Sequence, residues 1–222
     1  MARDNFQQAI SELQTKILVM GGLVETLINK VIVCLEKQDL KLVEEIASGE
    51  TEVDRLDSEI TEKAIKLIAL QQPMASDLRG IVTSIRISSD LERMADQALN
   101  IAEVVMHIGD EPLMKPLELI PLMAAKTRQM VKNSLDAFVN KNTSLAKLVI
   151  DRDDKIDNLF VELWDELIDI IESEPHKANQ AVNLIFAGRY LERIADHATN
   201  ISEETIYLVK GILVAHKDPA SF

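Results

Sequence analysis

Leu91-Glu92-Arg93-Met94-Ala95-Asp96-Gln97-Ala98-Leu99-Asn100-Ile101 returns one hundred residues later as Leu191-Glu192-Arg193-Ile194-Ala195-Asp196-His197-Ala198-Thr199-Asn200-Ile201. The chain is therefore a tandem repeat with the same polar set at the same spacing in each copy. A helix turns about 100° per residue. With Ala98 at zero, Leu91, Met94, Ile101 and Val105 fall within about 60°, whereas Glu92, Asp96, Asn100 and Glu103 fall between about 120° and 200°. One face is apolar and the other is a stripe of oxygens. Copy two repeats this with Leu191, Ile194 and Ile201 against Glu192, Asp196, Asn200 and Glu203. Carboxylates one turn apart repel, so a cation between them is the expected neutraliser.

Outside this stretch, helical periodicity dominates. It runs over residues 6–37, 40–71 and 76–107, then over 117–140, 145–172 and 177–215, with breaks at Gln38-Asp39, Pro73 and Pro175. Gly109, Pro112 and Pro116 form the boundary between the halves, predicting domains at 1–110 and 111–222. With seven Gly, six Pro and 4% aromatics among 222 residues, strands have little support, and the expected fold is all-α: three long helices, a break, and three more.

The acidic pattern is not confined to one helix per repeat. Val53-Asp54-Arg55-Leu56 matches Ile156-Asp157-Asn158-Leu159, with Glu50 and Asp153 four residues upstream of Asp54 and Asp157. Asp54 and Glu92 both lie 19 residues from Pro73, and Asp157 and Glu192 lie 18 and 17 from Pro175. In an antiparallel pair, positions equidistant from the turn share a level. Each half is thus expected to gather about four carboxylates from two helices. The candidate ligands are Glu50, Asp54, Glu92 and Asp96 in the first repeat and Asp153, Asp157, Glu192 and Asp196 in the second. Asn100 and Asn200 either add a carbonyl oxygen or bridge helices. Hard oxygens without thiolate suit Mg, Mn, Fe or Ca, and Zn less exclusively. Arg93 and Arg193 are read as holding the carboxylates, and His197 as an ordinary residue outside the stripe.

Composition excludes several classes. A net charge of −13 argues against nucleic-acid binding. A single cysteine, Cys34, allows no internal disulfide. The longest unbroken apolar run, residues 17–24, is too short to span a bilayer, and the N-terminus has no signal-peptide pattern, so a cytoplasmic protein is expected. No phosphate-cradling glycine loop or nucleophile triad is visible. Gly21-Gly22 marks either a close helix or partner approach or an inconsequential kink, and Phe160 and Trp164 are read as core or partner-facing aromatics, with core the preferred reading.

Several stretches in order resemble the PhoU family of bacterial phosphate-signalling regulators. They are Met20-Gly21-Gly22-Leu23-Val24-Glu25, Gln72-Pro73-Met74-Ala75-Ser76-Asp77-Leu78-Arg79, the two Leu-Glu-Arg-x-Ala-Asp segments, and Tyr207-Leu208-Val209-Lys210-Gly211. Ala95 and Ala195 depart from a glycine frequent in the family. The resemblance implies two three-helix bundles related by pseudo-twofold symmetry, with multinuclear metal clusters on the acidic motifs of some members. It also implies a non-enzymatic, membrane-peripheral, homodimeric adaptor. This adaptor would couple the ATPase of a phosphate-specific ABC transporter to a sensor histidine kinase and act as a negative regulator. The competing readings are a carboxylate-bridged metal enzyme or iron-binding bundle, disfavoured because no histidine follows a glutamate by three residues, and a scaffold with solvated acidic stripes.

Overall fold

The computed structural model describes residues 2–212. Helices α1 (Ala2–Lys37), α2 (Lys41–Gln71) and α3 (Ala75–Ile108) form the first repeat; α4 (Leu119–Asn140), α5 (Thr143–Ile150), α6 (Asp153–Ser173) and α7 (Ala178–Lys210) form the second. The α1–α2 and α2–α3 breaks fall where the sequence places them. Gln72 closes α2 with φ 45°, and Pro73, lacking an N–H, follows it.

Two boundaries differ from the sequence reading. The expected single helix over 145–172 is broken between α5 and α6. There Asp151 N–H bonds to Lys147 O and Arg152 N–H bonds to Val149 O, tightening the chain into a turn. Asn142 caps α5 by accepting from the Ser144 and Leu145 N–H groups, while Asp153 and Asp154 supply negative charge at the start of α6. Periodicity survives this break because both pieces bury the same side, which hides it from a pattern search. Helix α7 ends at Lys210 rather than 215, because Gly211 adopts φ 69°; residues 213–215 lie outside the described region.

The apolar face of the repeated motif becomes the molecular centre. Leu91, Met94, Ala95, Ala98 and Ile101 on α3, and Leu191, Ile194, Ala195, Ala198 and Ile201 on α7, are all fully buried. The two helices run antiparallel: Arg86 pairs with Glu204 at 2.7 Å, and Asn200 Nδ2 donates to Asp90 at 3.2 Å. The alanines, including the two that replace the family's glycine, keep the contact surface small enough for close packing.

A second contact joins α1 to α4. A Cβ on Gly21 would lie 2.2 Å from Leu135 Cδ1, so the leucine methyl packs into the space the glycine leaves, whereas Gly22 faces open space. The segment Gln8–Lys37 of α1 is long and apolar enough to cross a membrane by length and composition, which a search for unbroken apolar runs misses. Its Leu13, Ile17, Met20, Val24 and Val31 are nonetheless fully buried in the core. The connector is pinned to both repeats. Gln38 donates to the Gly109 and Glu111 carbonyls, while Gln180 accepts from Met114 N–H and donates to the Pro112 carbonyl.

Candidate metal centre

The antiparallel α2–α3 pair delivers the level match inferred from Pro73. Glu50 and Asp54, one turn apart on α2, meet Asp96 of α3, and one carboxylate oxygen of each lies within 4.8 Å of the others. Oxygens bound to one cation stand no more than two metal–oxygen distances apart, about 4 to 5 Å. The donor set therefore fits a single hard ion, with open positions left on it. Glu92 lies one turn earlier on α3, and the charges of Asp96, Asp54 and Asp57 all act on it.

Electrostatics show the strain of this grouping. Burial, then Asp54 and Asp96, pushes the Glu50 pKa above the usual carboxylate range. Burial, then Asp96, Asp54 and Asp57, does the same to Glu92. Asp96 is raised by burial and Asp54, and lowered less strongly by Glu50 hydrogen bonding, Arg93 and His197. Each of the three resists ionisation, and a divalent cation would relieve all three together.

The second repeat has the same motif and different company. Glu192 is only 7% exposed, and Arg189, three residues earlier, forms an ion pair with it. Burial raises the Glu192 pKa, Arg189 opposes it, and Asp196 and Asp157 add to it. Asp196 is raised by burial and opposed by Arg189, His197 and Arg193. Among the described residues, Asp153, Asp157 and Asp196 do not form a three-oxygen group of the kind seen in the first repeat.

A model of the PhoU domain matches residues 17–105 and again 120–205. The chain belongs to the PhoU family. It is 39% identical over 212 residues to a phosphate-specific transport system accessory protein PhoU homolog of Clostridium acetobutylicum, covering 95% of this chain and 97% of that one. A homolog of the same name from Aquifex aeolicus is 40% identical over 208 residues, with 94% of each chain covered. Among solved structures, PhoU from Pseudomonas aeruginosa superposes with a TM-score of 0.89 at 31% identity, covering 93% of this chain and 100% of that one. The phosphate transport system regulatory protein PhoU from Streptococcus pneumoniae gives 0.88 at 28% identity, covering 95% and 100%. The two tandem helical bundles are thus a PhoU fold.

Arg93 acts on Glu92 and Asp96 through its charge, but the arginine paired with a motif glutamate is Arg189, which sequence reasoning missed although it sits at i−3 from Glu192. His197 is not an ordinary surface residue. It is 8% exposed, and its Nδ1 lies 2.9 Å from Asp90 Oδ1 across the α3–α7 contact. Asn200 bridges helices at the same Asp90, the second of its two anticipated roles. Asn100 is partly buried about two turns before the end of α3. Trp164 is 46% exposed, contrary to a core placement, and makes an edge-on contact with half-buried Phe160 at 6.3 Å. Cys34 is buried, which pushes its thiol up to about 11, with Asp39 adding to the shift; it is unsuited to nucleophilic work.

Proposed function

We propose that this chain is a cytoplasmic, non-enzymatic accessory regulator of a phosphate-specific transport system. It acts as a negative regulator by contacting the ATPase of the transporter at the membrane surface and a sensor histidine kinase, and it works as a homodimer. The observation that carries this reading is whole-length likeness: both repeats match the family, and the relatives named as transport accessory proteins align over more than nine-tenths of the chain.

The metal belongs to the same proposal. Glu50, Asp54 and Asp96 would hold a divalent ion, with Glu92 adjacent, and Mg, Mn, Fe or Zn all suit oxygen donors to differing degrees. Such an ion would neutralise the carboxylates and present open positions to an anionic group of a partner. The iron-enzyme alternative gains no support from the site, because among the described residues no histidine joins Glu50, Asp54 and Asp96.

The test is complementation. Cells deleted for this gene should express a phosphate-starvation reporter in ample phosphate, and the wild-type chain should silence it. The variant Glu50→Gln, Asp54→Asn, Asp96→Asn should fold but fail to silence. A deletion strain with an unchanged reporter and unchanged phosphate uptake would end the regulatory reading. Silencing by the triple variant would end only the metal's part in it.

A further inference from the structure

The two repeats also differ on the opposite side of their middle helices. Helices α1 and α4 superpose in register at an offset of 103 residues: Ile17, Met20, Leu27, Ile28 and Leu35 are buried, as are Ile120, Met123, Met130, Val131 and Phe138. The same offset relates α2 to α6. In the first repeat this side is closed, because a Cβ on Gly49 would lie 2.7 Å from Leu27 Cδ2. In the second repeat the position of Gly49 is taken by Arg152, and the α5–α6 break falls there. A cleft of about 330 Å³ opens between α4 and α6.

Its polar lining is Lys126, Gln129, Arg152 and Lys155, and its apolar floor includes Met130 and Ile156. The corresponding residues of the first repeat are Leu23, Thr26, Gly49 and Glu52, so all three cations are particular to the second. Among the described residues, none of the three makes a side-chain ion pair or hydrogen bond, although the chain has 37 acidic residues with which to balance them. The acidic residues of the same segment, Asp151, Asp153, Asp154 and Asp157, do not line the cleft.

We propose that this cleft binds a small organic phosphate ester of mononucleotide size. The phosphate would sit on Lys126, Arg152 and Lys155, and the apolar body against Met130 and Ile156. The volume is at the lower end of small-molecule sites, about 300 to 1,000 Å³, and generous for a lone inorganic anion. The site shares no lining residue with the group Glu50, Asp54 and Asp96.

Calorimetric titration of the full chain with adenosine 5′-monophosphate, in low salt with chelator, tests this. One saturable site per chain is expected. It should weaken at least tenfold in the variant Lys126→Gln, Arg152→Gln, Lys155→Gln, and remain unchanged in the charge-matched variant Lys37→Gln, Lys41→Gln, Lys141→Gln. Far-ultraviolet circular dichroism confirms that both variants keep their helices. No saturable binding, or equal weakening in both variants, would overturn the proposal. So would inorganic phosphate binding as tightly as the nucleotide, or a hexaglutamate peptide displacing it at equal concentration, which would reassign the cleft to a bare anion or to a protein partner. The Glu50→Gln, Asp54→Asn, Asp96→Asn variant should bind the nucleotide normally, so this result stands or falls apart from the regulatory reading.

Discussion

The acidic site of the first repeat and its counterpart in the second share the motif Leu-Glu-Arg-x-Ala-Asp and little else. In the first, Glu50, Asp54 and Asp96 converge, and Ser89 occupies the position of Arg189; Asp57 adds a further carboxylate, accepting from Ser88 Oγ at 2.6 Å. In the second, Phe160 stands where Asp57 does, Gly188 where Ser88 does, and Arg189 lies over the Phe160 ring at 5.8 Å while pairing with Glu192. A duplicated motif fixes where carboxylates stand. The residues one turn away fix whether an arginine pairs with them.

The largest expected effect tests that asymmetry directly. The variant Glu50→Gln, Asp54→Asn, Asp96→Asn should lower Mn²⁺ affinity at the tighter site at least tenfold by calorimetry, whereas Asp157→Asn with Asp196→Asn should leave it in place. Equal losses from both would erase the distinction between repeats. Next, Gly188→Ala should cost about 1 to 3 kcal/mol in urea unfolding through overpacking, because its new Cβ would lie 2.4 Å from Leu163 Cδ2. Ser88→Gly should cost about 1 kcal/mol, as one hydrogen bond and some helix propensity are lost.

Removing the neutraliser comes third. Arg189→Ala leaves Glu192 buried beside Asp157 and Asp196, and should destabilise the metal-free chain by about 1 kcal/mol at neutral pH, the guanidinium being half exposed. A subtler effect is pH dependence. The Glu50, Glu92 and Asp96 pKa values are raised in the folded state, so the folded chain binds protons more tightly than the unfolded one there. Their contribution is most favourable below the unfolded carboxylate pKa and is lost as pH rises through the folded values. The Tm of the metal-free protein should therefore climb as pH falls from about 7 toward 5, and the triple variant should flatten that slope. The smallest effect is expected at exposed Arg55, paired with Glu52 and Glu59. Arg55→Ala should change stability by less than about 0.5 kcal/mol.

Sequence alone determined the helical class, the duplication, the breaks at Gln38 and Pro73, and the convergence of α2 and α3 carboxylates. Each follows from local rules of periodicity, turn chemistry and equal distance from a proline. The Asp54–Glu92 register was legible because a short turn leaves antiparallel helices no freedom to slide. Tertiary structure decided what those rules do not reach. Arg189 rather than Arg193 pairs with the second motif's glutamate, because only the direction of each side chain toward α6 separates two arginines on one helix. His197 and Asn200 meet Asp90, from the other repeat, and no local pattern encodes a partner more than a hundred residues away. The break before α6, and with it the basic cleft, was hidden because two helix pieces that bury the same side preserve the period that a sequence reading depends upon.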